Sequence, residues 1–193
     1  MRVINACSAF AAVLGERERL RPLRPHLPRR HAPLKLAGAD KTARATKEDV
    51  IAALDADEYD TVMRRLTGEE PAPVGGSEVT INTRYTLSPQ NAQAAQYILE
   101  YLQAAGYEDV FYHEFRYSST TTQNIIAVKP GATYPDEIVV YGAHMDSTSG
   151  SPTSSAPGCI DNGSGTGGML SGRKPGRAWP RPNIVAALWL AVR

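Results

Sequence analysis

Three residues have the types and spacing that metal chemistry needs: His144, Asp146 and Asp161, within "YGAHMDSTSGSPTSSAPGCIDNGSG". A neutral imidazole is a ready metal ligand. A carboxylate two residues on can accept the other ring N–H, which sets tautomer and ring orientation. His144 and Asp146 stand in that relation. Asp161 follows a Ser/Gly/Pro/Thr loop long enough to turn back toward His144. Its two oxygens could bridge two cations, as in two-metal hydrolytic sites. Singly, these pieces are common. An H-x-D more often marks a surface histidine beside a hydrogen-bonded aspartate, and Asp-Asn-Gly is more often a turn. The conjunction carries the reading: a strand, then H-x-D, then a small-residue loop, then D-N-G-S-G opening a helix.

Other chemistries fit less well. "GSGTGG" matches G-x-G-x-x-G at Gly163, Gly165 and Gly168. It lacks the hydrophobic strand just before it and the acidic residue about 20 positions later that a dinucleotide site needs. Ser164 has Asn162, not glycine, two residues before it, so the serine-hydrolase elbow fails. A metal-dependent β-lactamase type of site wants more histidines near His144. His113 and Glu114 fall on adjacent positions of an expected strand and so point to opposite faces. His26 and His31 lie in the N-terminal stretch, with no spacing that makes them ligands.

The elements that must position these residues follow from capping and periodicity. "TKEDVIAALDADEYDTVMRRLTG" predicts two short helices, or one broken near Asp57, starting at Thr46 and ended by Gly68. "EEPAPVGGSE" reads as a loop, and "VTINTRYTL" as a strand or an extended connection. "SPQNAQAAQYILEYLQAAGY" is the clearest helix. Ser88 caps it, Pro89 opens it and Gly106 closes it. Ala94, Ala95, Ile98, Leu99 and Leu102 form its buried face. Three strands are expected next. "DVFYHEFRY" alternates, so one face is wet. "TQNIIAVKPG" stops at Pro130-Gly131. "DEIVVYGAH" carries the run Ile138 to Tyr141, which suggests cover on both faces. "NIVAALWLAV" suits a buried strand or helix. Helix and strands joined by short links argue for an α/β fold. His144 and Asp146 then sit at the carboxyl end of a strand, where active groups of open α/β sheets collect.

The bulk numbers agree with a globular domain. The chain has 193 residues, 42% hydrophobic and 21% charged, with a formal net charge of +1. That charge exerts no strong pull toward nucleic acid. The two cysteines, Cys7 and Cys159, exclude a disulfide framework as the main support. No run approaches the ~20 apolar residues of a membrane span. Residues 1–44 are Arg/Pro/Ala-rich and read as a leader, either disordered or a partial secretion signal. Residues 45–170 form the candidate domain. At "LSGRKPGRAWPRP" the composition changes, and 171–193 read as an atypical tail.

The conjunction around His144 and Asp161 strongly resembles the zinc-dependent exopeptidases related to aminopeptidase Y and bacterial leucyl aminopeptidases. "SPQNAQAAQYILEYLQAAGY" is similar to that family's helix before the sheet, and "TTQNIIAVKPG" to its strand. The resemblance covers roughly residues 80 to 170. It implies a three-layer mixed sheet of the zinc exopeptidase type, truncated here. It implies His144 as ligand of one zinc, Asp161 as the bridge between two zinc ions, and Asp146 as the catalytic-site carboxylate that orients His144. It implies a cis peptide after Asp161, a glutamate as general base, a peptide or protein substrate with a free N-terminus, and a secreted or periplasmic setting. Some relatives are carboxypeptidases or glutaminyl cyclases, so the motif does not choose the substrate.

The resemblance also has a limit. The family places a Glu-Glu pair, another carboxylate and a late histidine after its bridging aspartate. From Asn162 to Arg193 there is no Asp, Glu or His. A tetrahedral zinc takes about four ligands, so weak, partial zinc binding is expected. Either the residues beyond about 170 are unrelated to the parent sequence, or "NIVAALWLAV" is the family's next strand. The alternative to an enzyme is a catalytically inactive fragment or binding module that keeps part of the fold.

Overall fold

The computed structural model describes residues 55–129, 139–171 and 184–188. The chain divides after Ala43 into two units, and every described residue lies in the second, Arg44–Arg193. The leader over 1–44, Cys7, and the helix start at Thr46 lie outside the described residues.

Helix α1 spans Ala56–Thr67. The Asp55 carboxylate accepts from the Glu58 N–H at 3.1 Å, which caps the first turn. Asp57 and Glu58 at its start and Arg64 and Arg65 at its end complement the helix dipole. Gly68 follows in the left-handed region at φ 78°. A Cβ there would stand 2.7 Å from the Ile81 carbonyl oxygen, so both dihedral and space demand glycine. The expected break near Asp57 is thus a helix start, two residues earlier.

The stretch expected as a loop is instead a hairpin. Strands β1, Ala72–Val74, and β2, Ser77–Val79, pair antiparallel. Gly75 and Gly76 make the two-residue turn, both at positive φ, which glycine pairs favour for strand twist. The Gly75 N–H donates to the Glu100 carboxylate at 3.1 Å, tying the turn to the next helix. That helix, α2, spans Pro89–Ala104. Ser88 accepts from the Gln90 N–H and Pro89 stands in the first turn, as expected. Ala94, Ala95, Ile98 and Leu102 are buried, with Asn91 and Tyr97 added to that face; Leu99 is only half-buried. The cap is Ala105, and Gly106 lies one residue on with φ 79°.

The main sheet has the order β3-β4-β6-β5. Here β3 is Asp109–Tyr117, β4 is Thr120–Lys129, β5 is Val139–Tyr141 and β6 is Ile184–Leu188. β3 and β4 form an antiparallel hairpin. β6 pairs antiparallel with β4 and parallel with β5, so the sheet is mixed. "NIVAALWLAV" therefore supplies a strand that sits inside the sheet. β4 is central, and Asn124 to Ala127 are buried along it. β3 alternates half-buried and exposed residues, as its sequence predicted. α2 packs on β4 and β3, and α1 packs on the later helix α3, Ser164–Ser171. Leu66, Ile81, Ile98, Leu102, Ile125, Met145 and Leu170 fill the core between these layers. Each such side chain contributes about 1.5–3 kcal/mol relative to exposure.

One expectation fails. The run ending in Tyr141 was expected to be covered on both faces, yet Val140 is 45% and Tyr141 54% exposed. The apolar run is real, but β5 is a three-residue edge strand, and α2 packs against β4 and β3.

Candidate metal site

The site lies where the chain leaves β5. Met145 is fully buried in the core. Alternation along extended backbone sends His144 and Asp146, its neighbours, to the opposite side. Asp146 is nearly buried, with its side chain 7% exposed, and His144 is 18% exposed. Asp146 Oδ1 lies 3.2 Å from His144 Nδ1, and the Asp146 carbonyl oxygen is equally close. The Thr86 hydroxyl donates to Asp146 Oδ2 at 3.4 Å. The Thr166 hydroxyl, on α3, donates to the His144 carbonyl at 3.1 Å.

The loop from Ser147 to Gly158 does turn back. It is stitched to the segment before α2. Ser147 N–H donates to the Arg84 carbonyl at 3.3 Å, and Ala156 N–H to the Asn82 carbonyl at 3.0 Å. Thr83 Oγ1 donates to the Pro152 carbonyl at 2.6 Å. The chain then makes an irregular turn, Cys159–Gly163, in which Asp161 and Asn162 leave helical geometry and the Asp161–Asn162 peptide is cis. The Asn162 side-chain oxygen accepts from the Gly165 N–H at 3.1 Å, which starts α3.

These two arms bring Asp161 Oδ1 to 3.1 Å from His144 Nε2. The imidazole thus lies between two carboxylates, Asp146 on Nδ1 and Asp161 on Nε2. Asp161 is the open side, with its side chain 51% exposed. The hydrogen bond that His144 donates to Asp146 raises the His144 pKa above the ordinary histidine value, against burial, with the Asp161 charge adding to it. With Nδ1–H donating to Asp146, the neutral ring presents the Nε2 lone pair to a carboxylate oxygen. Two acceptors facing at that distance repel unless a proton or a cation lies between them.

The donor chemistry fits a divalent cation at that position. Two atoms bound to one zinc at about 2.0–2.2 Å lie roughly 3–3.5 Å apart at near-tetrahedral angles. The Nε2 to Oδ1 distance falls in that range. Asp146 meets the opposite ring nitrogen, where it would orient His144 rather than share such an ion. Among the described residues, no group of three or more His, Cys, Asp or Glu is placed to hold a metal ion. His113 stacks on Phe115 and lies 3.4 Å from the Asn124 amide, on the β3–β4 hairpin. Cys159 is exposed and is not in a disulfide.

Residues 124–182 match the model of peptidase family M28. That segment contains His144, Asp146 and Asp161. Among solved structures, the chain is similar to the Legionella pneumophila LapA aminopeptidase at 18% identity and TM-score 0.54, over 91% of this chain and 45% of that one. The chain's fold is similar to that of this aminopeptidase. A second similar structure is Porphyromonas gingivalis glutaminyl cyclase, 17% identical with a TM-score of 0.50, over 71% of this chain and 45% of that one. The chain spans less than half the length of these solved structures. No curated protein matches it.

The structure exposes what sequence reasoning missed. Tyr85, Thr86 and Tyr117 line the same shallow cleft as His144, Asp146 and Asp161. Arg84, just before them, is fully buried. Nothing in "INTRYTL" signals this, because an arginine there reads as the polar face of a weak strand.

Proposed function

We propose that the chain works as a metal-dependent peptidase of the aminopeptidase kind, with zinc as its metal. The observation that carries this reading is the 3.1 Å approach of His144 Nε2 to Asp161 Oδ1, inside the segment that matches a peptidase family. In this reading His144 ligates one zinc, Asp161 bridges two, and the sheet belongs to a three-layer mixed architecture of the zinc exopeptidase type. The kinship is with aminopeptidase Y and the bacterial leucyl aminopeptidases. Zinc bound there would lower the pKa of a water and polarise the scissile carbonyl. Asp146 holds the His144 ring and its tautomer. The half-exposed Asp161 faces the cleft where a peptide with a free N-terminus would lie. A secreted or periplasmic setting completes this reading.

Hydrolysis needs further ligands and a base, which the described residues do not supply. A second reading is therefore a binding module that keeps the M28-like fold. It is favoured by the lack, among the described residues, of three groups placed on one ion.

Hydrolysis of aminoacyl-anilides with added zinc separates the two. Turnover by the full chain that disappears in His144→Ala and in Asp161→Ala supports the peptidase. Zinc binding without turnover supports the module. No zinc binding at all overturns the metal site in both.

A further inference from the structure

We infer that Arg84 is a positioning residue: its guanidinium clamps the backbone on both sides of the site and thereby sets the spacing of His144 and Asp161. Its Nε donates to the carbonyl of Met145, the residue between His144 and Asp146, at 2.7 Å. Nη1 donates to the Pro157 carbonyl at 2.6 Å and Nη2 to the Gly158 carbonyl at 3.0 Å, both on the arm that leads to Asp161. Nη1 also donates to the carbonyl of Leu66 near the end of α1. One side chain therefore joins three separate stretches of chain. The Arg84 backbone adds to this: its N–H donates to Ser147 Oγ at 3.2 Å, and its carbonyl accepts from the Asn91 amide at 2.8 Å.

The chemistry of the guanidinium explains the choice of residue. Its five donors lie in one rigid plane, so the carbonyls it binds are fixed relative to one another. Lysine offers three donors on one swivelling head. An apolar residue would leave buried carbonyls unsatisfied. The site also makes room for this group. A Cβ at either Gly158 or Gly163 would lie 3.2 Å from Arg84 Nη2. Burial draws the Arg84 pKa down to about 10, so the group still carries its charge at neutral pH.

The clamp acts unequally on the two carboxylates. Asp146 is in the same short segment as His144 and needs no help to reach Nδ1. Asp161 arrives on the arm that Arg84 holds. Loss of the guanidinium should release Asp161 from Nε2 and leave Asp146 on Nδ1. General loss of structure would not separate the two ring nitrogens.

The test uses the full chain labelled with ¹⁵N-histidine, with His144 assigned by its loss in His144→Ala. In Arg84→Ala, the Nε2 resonance is expected to move to a solvent-exposed value while Nδ1 keeps its hydrogen-bonded shift. Millimolar methylguanidinium should restore Nε2. Cobalt(II) affinity, read from its visible spectrum, should fall by about 10–100-fold and recover with the same additive. An unchanged Nε2 shift in a folded Arg84→Ala overturns the inference, as does simultaneous loss of both nitrogen shifts with near-ultraviolet dichroism retained. Where Arg84→Ala does not fold, Arg84→Lys decides, with the same Nε2 change expected and an unchanged shift overturning. The cobalt arm rests on the metal reading under Proposed function; the nitrogen arm does not. A wild-type chain that binds no cobalt sinks the metal reading, and the nitrogen shifts still decide the role of Arg84.

Discussion

His144 Nε2 and Asp161 Oδ1 meet at 3.1 Å, although a long Ser/Gly/Pro loop lies between them in sequence. The other ring nitrogen is held by Asp146 at 3.2 Å. The ring nitrogen and the carboxylate oxygen that would face a cation are thus already at ligand spacing. Removing either should abolish specific zinc binding. We expect His144→Ala and Asp161→Ala to reduce zinc affinity by more than the roughly 10–100-fold that loss of a supporting group costs. Titration calorimetry of the full chain with zinc measures this directly. A variant that binds zinc like the wild type would remove that residue from the ligand set.

Asp146→Asn tests the supporting role separately. The amide is nearly isosteric but can present its NH₂ group to Nδ1, which weakens control of the tautomer. The expected result is a fall in zinc affinity of about 10–100-fold with thermal stability changed much less. Calorimetry paired with a melting curve checks both. An unaltered affinity would mean that the ring is held by the backbone carbonyl of Asp146, also 3.2 Å from Nδ1.

Glycines along the site arm should respond in opposite directions. Gly158 has φ 48°, and a Cβ there would meet Ser147 Cβ at 2.4 Å. Gly158→Ala should destabilise the fold by at least about 1–3 kcal/mol. Gly168 lies within α3, and a Cβ there meets nothing within 4 Å. Gly168→Ala should stabilise by about 0.5–1 kcal/mol. Urea unfolding of both variants settles the contrast, and equal effects would contradict the geometry of the turn.

The open edge of the sheet has its own consequence. Val140 and Tyr141 are exposed on β5, which among the described residues pairs only with β6. Exposed apolar edge strands invite pairing with other chains. Replacing Tyr141 by Lys should reduce self-association at high concentration with little change in melting temperature. Sedimentation velocity across a concentration series reads this, and identical profiles for both proteins would assign the association elsewhere.

Much of this was legible before any coordinates. Ser88, Pro89 and the apolar spacing of Ala94, Ala95, Ile98 and Leu102 wrote α2 in local terms, because caps and a 3.6-residue period act between near neighbours. The strand before Pro130 and the placement of H-x-D after an apolar run were readable for the same reason. The β1–β2 hairpin was not read: Gly75-Gly76 marks its turn, but the composition around it suggested a loop. The cover expected over Tyr141 failed because an apolar run reports the preference of a strand and not which layer packs on it.

The sequence alone determined the local elements and the kinds of donor atoms at the site: one imidazole and two carboxylates in a given order. Only the tertiary structure decided which carboxylate meets which ring nitrogen, and that Arg84 lies buried among four backbone carbonyls. The physical reason is one of range. Capping and periodicity are set by residues a few positions apart, whereas those carbonyls belong to segments far from Arg84 in the chain. Their need for hydrogen-bond donors arises only when folding removes them from water.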